Sequence, residues 1–209
     1  MKSNQLLKGA LMLTAGLMLS TAASHAALYY QVSINTSSLT SLPASSSGPF
    51  SLYFQFNAGG TPGNNTAVVN NFNFNGGSVS GAATSLGSVT GDLSSTITFN
   101  DTSYSELFQG FNPGTMIQFD VAFTGNADSV TPDSFVVAIL DNGLLNIPTT
   151  SPSDSLAQID INPTATVNTG TGTGAFSGVV ATVTAVPEPS AALLGAVACG
   201  VGVLRRRRA

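Results

Sequence analysis

Phe50-Ser51-Leu52-Tyr53-Phe54-Gln55-Phe56 is the stretch from which the fold can be read. In an extended chain successive side chains leave on opposite faces, so Phe50, Leu52, Phe54 and Phe56 line an apolar face. Ser51, Tyr53 and Gln55 line a mostly polar one, as a half-buried strand requires. Ile117, Phe119, Val121 and Phe123 alternate with Gln118, Asp120, Ala122 and Thr124 in the same way. Working outward, Leu28–Asn35, Ala67–Asn75, Ser95–Asn100, Phe135–Asp141 and Phe176–Thr184 share this alternation and the β-branched and aromatic content of strands. Phe135 to Leu140 is apolar on both faces, as a central strand would be.

Turn formers separate these runs: Gly59 to Asn64, Gly76-Gly77, Asn112-Pro113-Gly114, Asp141-Asn142-Gly143 and Ser151 to Asp154. Ser103–Phe111 is expected to make one helical turn, and Asn162–Gly174 a long Thr/Gly/Asn-rich loop. No repeat of fixed period argues for a solenoid or propeller. Eight to ten short strands with frequent turns predict an all-β fold. The expected architecture is an antiparallel β-sandwich with jelly-roll or Greek-key connections, over residues 27–184.

Charge narrows the function. The six basic residues are Lys2, Lys8 and Arg205 to Arg208, so residues 27–187 contain no cation, and the sole histidine is His25. The acids of that stretch are Asp92, Asp101, Glu106, Asp120, Asp128, Asp133, Asp141, Asp154 and Asp160. The whole-chain formal charge of −4 therefore conceals a far more acidic body. Without cations it cannot neutralise phosphates, which argues against nucleic acid as a partner. Without His, Lys or Cys it cannot assemble a Ser/His/Asp or Ser/Lys nucleophile, and no enzyme activity is expected. The one cysteine, Cys199, permits no internal disulfide and reads as a small apolar filler.

The two ends read as address labels. Lys2 and Lys8 precede an apolar run from Ala10 to Leu19. Ser24-His25-Ala26 then places small residues for cleavage between Ala26 and Ala27, so residues 1–26 are expected to be a signal peptide removed by signal peptidase. Residues 185–209 carry Val186-Pro187-Glu188-Pro189-Ser190, then an apolar segment from Ala191 to Leu204, then Arg205-Arg206-Arg207-Arg208. As a single apolar helix that segment would reach about 21 Å against a hydrocarbon core of roughly 30 Å. Basic residues at its end favour the cytoplasmic side and can extend its span by snorkelling.

This tripartite tail resembles a PEP-CTERM protein-sorting domain. The resemblance covers about residues 186–208, and it implies that a membrane-embedded exosortase recognises and processes the tail. It further implies export by a Gram-negative bacterium that makes extracellular polysaccharide. A transient inner-membrane anchor would precede release to the cell surface or the extracellular matrix.

Candidate ligand sites follow from oxygen and aromatic side chains. Asn126, Asp128 and Asp133 lie between two predicted strands and Asp141 ends the next, so their oxygens could converge on calcium. Asp154 and Asp160 form a weaker second candidate. Tyr29, Tyr30, Tyr53 and Tyr104 could form a stacking platform for sugar rings. Asp120 and Glu106 are the candidate members of a carboxylate pair, were the chain a glycosidase. The leading expectation is a non-enzymatic structural or adhesive component of the cell surface or matrix, with calcium bridging carboxylates. The alternative is a carbohydrate-binding module for extracellular polysaccharide.

Overall fold

The computed structural model describes residues 28–42, 48–124, 131–161 and 165–187. The signal peptide with its cleavage residues Ala26 and Ala27 lies outside them, as do Asn126, Asp128, Glu188, Pro189, Ser190, the apolar segment and Arg205 to Arg208. Among the described residues no helix is long and apolar enough to cross a membrane.

The described chain is all-β, with two short 3-10 turns and no α-helix. Its strands are β1 (Leu28–Asn35), β2 (Phe50–Asn57), β3 (Thr66–Asn73), β4 (Ser78–Leu86), β5 (Val89–Thr90) and β6 (Ile97–Asn100). They continue as β7 (Tyr104–Asn112), β8 (Met116–Phe123), β9 (Asp133–Leu140), β10 (Ala157–Ile161), β11 (Thr166–Thr169) and β12 (Val180–Ala185). Two six-stranded sheets result, β12-β1-β8-β3-β6-β5 and β11-β10-β9-β2-β7-β4, every pair antiparallel. The pairings nest: β1 with β8, β2 with β7, β3 with β6. Most connections therefore cross from one sheet to the other, and the sheets face each other over a shared core.

The core is a phenylalanine cluster. Phe54 on β2 meets Phe119 of the opposite sheet edge-on at 5.3 Å and stacks on Phe135 of its own sheet at 5.9 Å. Phe72 and Phe99 lie 6.2 Å from it. Phe135 also contacts Phe99 and Phe123, at 5.8 and 5.4 Å. Edge-to-face pairs at these separations add stabilisation beyond the buried area.

Three expectations are corrected. Ser103–Phe111 is not a helical turn but β7, an interior strand of the second sheet. Tyr104, Leu107, Phe108 and Phe111 recur at helical spacing, yet Leu107 and Phe111 are buried while Tyr104 and Phe108 lie on the opposite, outward face. The loop expected over Asn162–Gly174 contains β11. Among the described residues the strand number is twelve rather than eight to ten, and β4, β5, β7, β10 and β11 went unforeseen. β4 is Ser-Val-Ser-Gly-Ala-Ala-Thr-Ser-Leu, an edge strand with a register shift between Ser80 and Thr84. Its pairing with β7 makes it a strand in spite of weak propensity.

At the end of the described chain, the Val186 N–H donates to the Tyr29 carbonyl at 2.8 Å, adding one rung to the β12–β1 ladder. Pro187 has no N–H to continue it.

Candidate functional site

The outward face of the second sheet holds the most organised polar surface. Register places Tyr53 of β2 beside Phe108 of β7, Gln55 beside Glu106, and Asn57 beside Tyr104. All six side chains leave the same face, because each strand buries its alternate residues: Leu52, Phe54 and Phe56 on β2, Ser105, Leu107 and Gln109 on β7. The Tyr53 hydroxyl donates to Glu106 Oε2 at 2.8 Å, and the Tyr104 hydroxyl donates to the same oxygen. Gln55 Oε1 lies 3.1 Å from the Tyr53 hydroxyl, and the Gln55 amide donates to Asn57 Oδ1 at 2.8 Å. Tyr53 has one hydroxyl hydrogen and the carboxylate is the stronger acceptor, so Gln55 Oε1 is left open to an outside donor. Glu106 Oε1 has no hydrogen-bond partner among the described residues. Burial, then the hydrogen bonds and charge of Tyr104 and Glu106, push the Tyr53 phenol well above its ordinary range. It stays a neutral donor at any physiological pH.

Beside this network lies a groove of about 290 Å³, lined by Tyr53, Gln55, Glu106, Phe108, Leu140, Leu144 and Asn146. Its far wall is the turn after β9. Asp141 Oδ1 accepts from the N–H groups of Gly143 and Leu145, and the Leu144 N–H donates to the Asp141 carbonyl. This turn holds Leu144 at φ 58° and leaves Leu144 and Leu145 exposed by 55 % and 68 %. A leucine in the left-handed region is strained, and such strain persists where the surrounding structure demands it. The groove combines two aromatic rings and two leucine side chains with an open carboxylate oxygen and two amides. It can hold a ligand with both C–H faces and hydroxyls.

The second polar arrangement is buried, at one end of the sandwich. Asp101, Asp133 and Asn65 are 0 %, 1 % and 2 % exposed. Asp133 Oδ1 accepts from the Gly59 N–H at 2.6 Å and Oδ2 from the Asn65 amide at 2.6 Å. Asp101 Oδ2 accepts from the Asn65 N–H at 3.0 Å, while its Oδ1 is buried without a partner. The Asn65 side-chain oxygen Oδ1 accepts from the Thr124 hydroxyl at 3.0 Å. Desolvation, and then the adjoining Asp133 carboxyl, raise the Asp101 pKa above its ordinary 3.8.

An acid raised on folding stabilises in its protonated form. The contribution is complete below the ordinary pKa and is lost as pH rises through the folded one. Asp92 has the opposite sign: hydrogen bonds from Ser94 and Ser95 lower it, so its contribution falls away only in strong acid. In chelator, thermal stability is therefore expected to rise as pH falls from neutral toward the ordinary carboxylate range. Melting curves across that range check it, and the rise should vanish in Asp101→Asn.

The sequence candidates are dispersed. Tyr30 is buried in the core edge-on to Phe123, and Tyr29 lies on the other sheet, its hydroxyl 3.3 Å from Asp120 Oδ2. Only Tyr53 and Tyr104 share a face. Asp120 and Glu106 stand on the outer faces of opposite sheets, too far apart for a carboxylate pair. Asp133 and Asp141 sit at opposite ends of β9, roughly 26 Å apart at about 3.3 Å per residue, so they cannot share one ion. Asp154 Oδ1 accepts from the Thr149 N–H, and Asp160 accepts from Gln158, so neither faces the other across a site. Among the described residues no three His, Cys, Asp or Glu side chains converge. Phe108, Leu144 and Asp101 were missed as site residues. Phe108 was visible only as an apolar residue out of phase with its strand.

No protein-family model, curated protein or solved structure matches the chain.

Proposed function

We propose that the chain is an exported, non-enzymatic β-sandwich protein that binds extracellular polysaccharide through the outward face of its second sheet. The nested strand pairing supports reading the sandwich as a jelly roll, extended by β9 to β11 on one sheet and β12 on the other. The tail supports the export route: Val186 to Ser190, the apolar segment and Arg205 to Arg208 would be recognised by an exosortase after a signal peptidase has acted at Ala26–Ala27. The protein would pass through a transient inner-membrane stage to the cell surface or matrix.

The observation that carries the binding reading is the Tyr53–Tyr104–Glu106–Gln55 network bordering a groove with Phe108 and Leu144. Aromatic faces suit the C–H surface of a sugar ring, while the open Glu106 Oε1 and Gln55 Oε1 accept hydroxyl hydrogens. Glu106 on the face, and no cation anywhere in residues 27–187, would repel uronate, sulfate or phosphate groups. The ligand class is therefore a neutral or amino-bearing glycan. This favours the carbohydrate-binding reading over a purely structural role in the matrix.

Binding to the producer's neutral polysaccharide should weaken at least about tenfold in Tyr53→Ala and in Glu106→Gln, since each removes a stacking or charge-assisted contact. Tyr29→Ala, on the other sheet, should bind as before. Affinity electrophoresis or calorimetry reads the change. Equal affinity in all three variants would refute the assignment of the face.

A further inference from the structure

We propose that Asp101 and Asp133, with the oxygens of the Asn64–Asn65 turn, form a buried calcium site at the end of the sandwich. It is independent of the glycan-binding groove. Four segments converge there: the turn between β2 and β3 bringing Gly59, Asn64 and Asn65, the end of β8 bringing Thr124, Asp101 after β6, and Asp133 opening β9.

Three observations carry the assignment. Both carboxylates are almost completely withdrawn from water. A buried carboxylate must be neutralised, and residues 27–187 hold no lysine, arginine or histidine to do so. Hence the neutralising charge comes from outside the chain. The Gly59 N–H, the Asn65 N–H and the Asn65 amide donate to three of the four carboxylate oxygens, and none of these neutral donors supplies a counter-charge. Finally, Asp101 Oδ1 is buried without a partner beside the Asp133 carboxyl, and a cation there would satisfy it.

The donor set selects the ion. All candidate donors are oxygens, since the body contains no histidine and no cysteine for zinc or copper. Magnesium keeps several waters and demands octahedral geometry, which carboxylates so withdrawn from water disfavour. Calcium accepts carboxylate, amide and carbonyl oxygens in flexible number.

The test uses the full chain, stripped with EDTA and titrated with CaCl₂ by calorimetry and thermal melting. One saturable site is expected, with the melting temperature raised by about 5–10 °C at a hundredfold excess over Kd. MgCl₂ should shift it far less. Asp101→Asn removes a charge while preserving shape, so it should abolish the calcium shift and melt no lower than the wild type in EDTA. The proposal is overturned if the wild type shows no saturable calcium site at millimolar concentration, which would leave a proton shared between the two acids. It is equally overturned if magnesium matches calcium, or if Asp101→Asn keeps the full shift. Wild-type calorimetry decides the matter even where the variant does not fold.

Discussion

Truncating Phe54 to alanine is expected to lower the unfolding free energy by about 3–5 kcal/mol, the range for emptying a buried phenylalanine site. Phe54 is wholly buried, and it joins Phe72, Phe99 and Phe119 of one sheet to Phe135 of the other. The cavity would therefore open between the two layers, where rigid backbone ladders on both sides resist collapse. At roughly 2–4 °C per kcal/mol for a domain of this size, the melting temperature should fall by about 6–20 °C. Phe54→Leu keeps most of the volume and should lose less than half as much. Denaturant unfolding at constant slope measures both, and a loss under about 1 kcal/mol for Phe54→Ala would show that the ring cluster is not the inter-sheet hub.

Gly114→Ala is expected to cost about 3 kcal/mol. A Cβ there would sit 2.2 Å from the Phe74 carbonyl oxygen, 2.4 Å from the Gly77 nitrogen and 2.6 Å from the Asn75 carbonyl oxygen. All three are backbone atoms, so no side chain can rotate away. The contact matters because the turn after β7 is packed there against the turn after β3. The Thr115 N–H donates to the Asn75 carbonyl, and the Thr36 hydroxyl donates to the Gly114 carbonyl. Displacing Gly114 therefore disturbs the register of β7, which carries Tyr104, Glu106 and Phe108. Weakened glycan binding should accompany the lost stability. Gly63 has nothing within 4 Å of its Cβ position, and its φ of 82° is one that asparagine tolerates. Gly63→Asn should fall within about 1 kcal/mol of the wild type and serves as the control.

The places where sequence reasoning failed have physical causes. β7 mimicked a helix because Tyr104 and Phe108 are apolar residues on the outward face, added to the buried set of Leu107 and Phe111. A strand that spends aromatic residues on its solvent side breaks its own alternation, and such breaks are expected at functional surfaces. β4 hid for the opposite reason: its small side chains bury little, and only pairing with β7 holds it extended. Asp141 passed for a metal ligand because aspartate before Asn-Gly also closes turns, which is the role it takes here.

Two properties follow from the chain as written. Period-two alternation in runs such as Phe50–Phe56 and Ile117–Phe123 determined an all-β fold, because only an extended backbone puts every second side chain on one face. The absence of lysine, arginine and histidine from residues 27–187 determined that any buried acid must find its counter-charge elsewhere. Alternation assigns a residue to a side of its strand but not to a sheet, a neighbour or an end. Those depend on the nested antiparallel pairing, which long-range packing selects. Only that pairing separated Tyr30, in the core, from Tyr53 and Tyr104, on one outer face. Only it brought Asp101 and Asp133 side by side and carried Asp141 to the far end of β9, since side chains distant along the chain meet only where strands turn together.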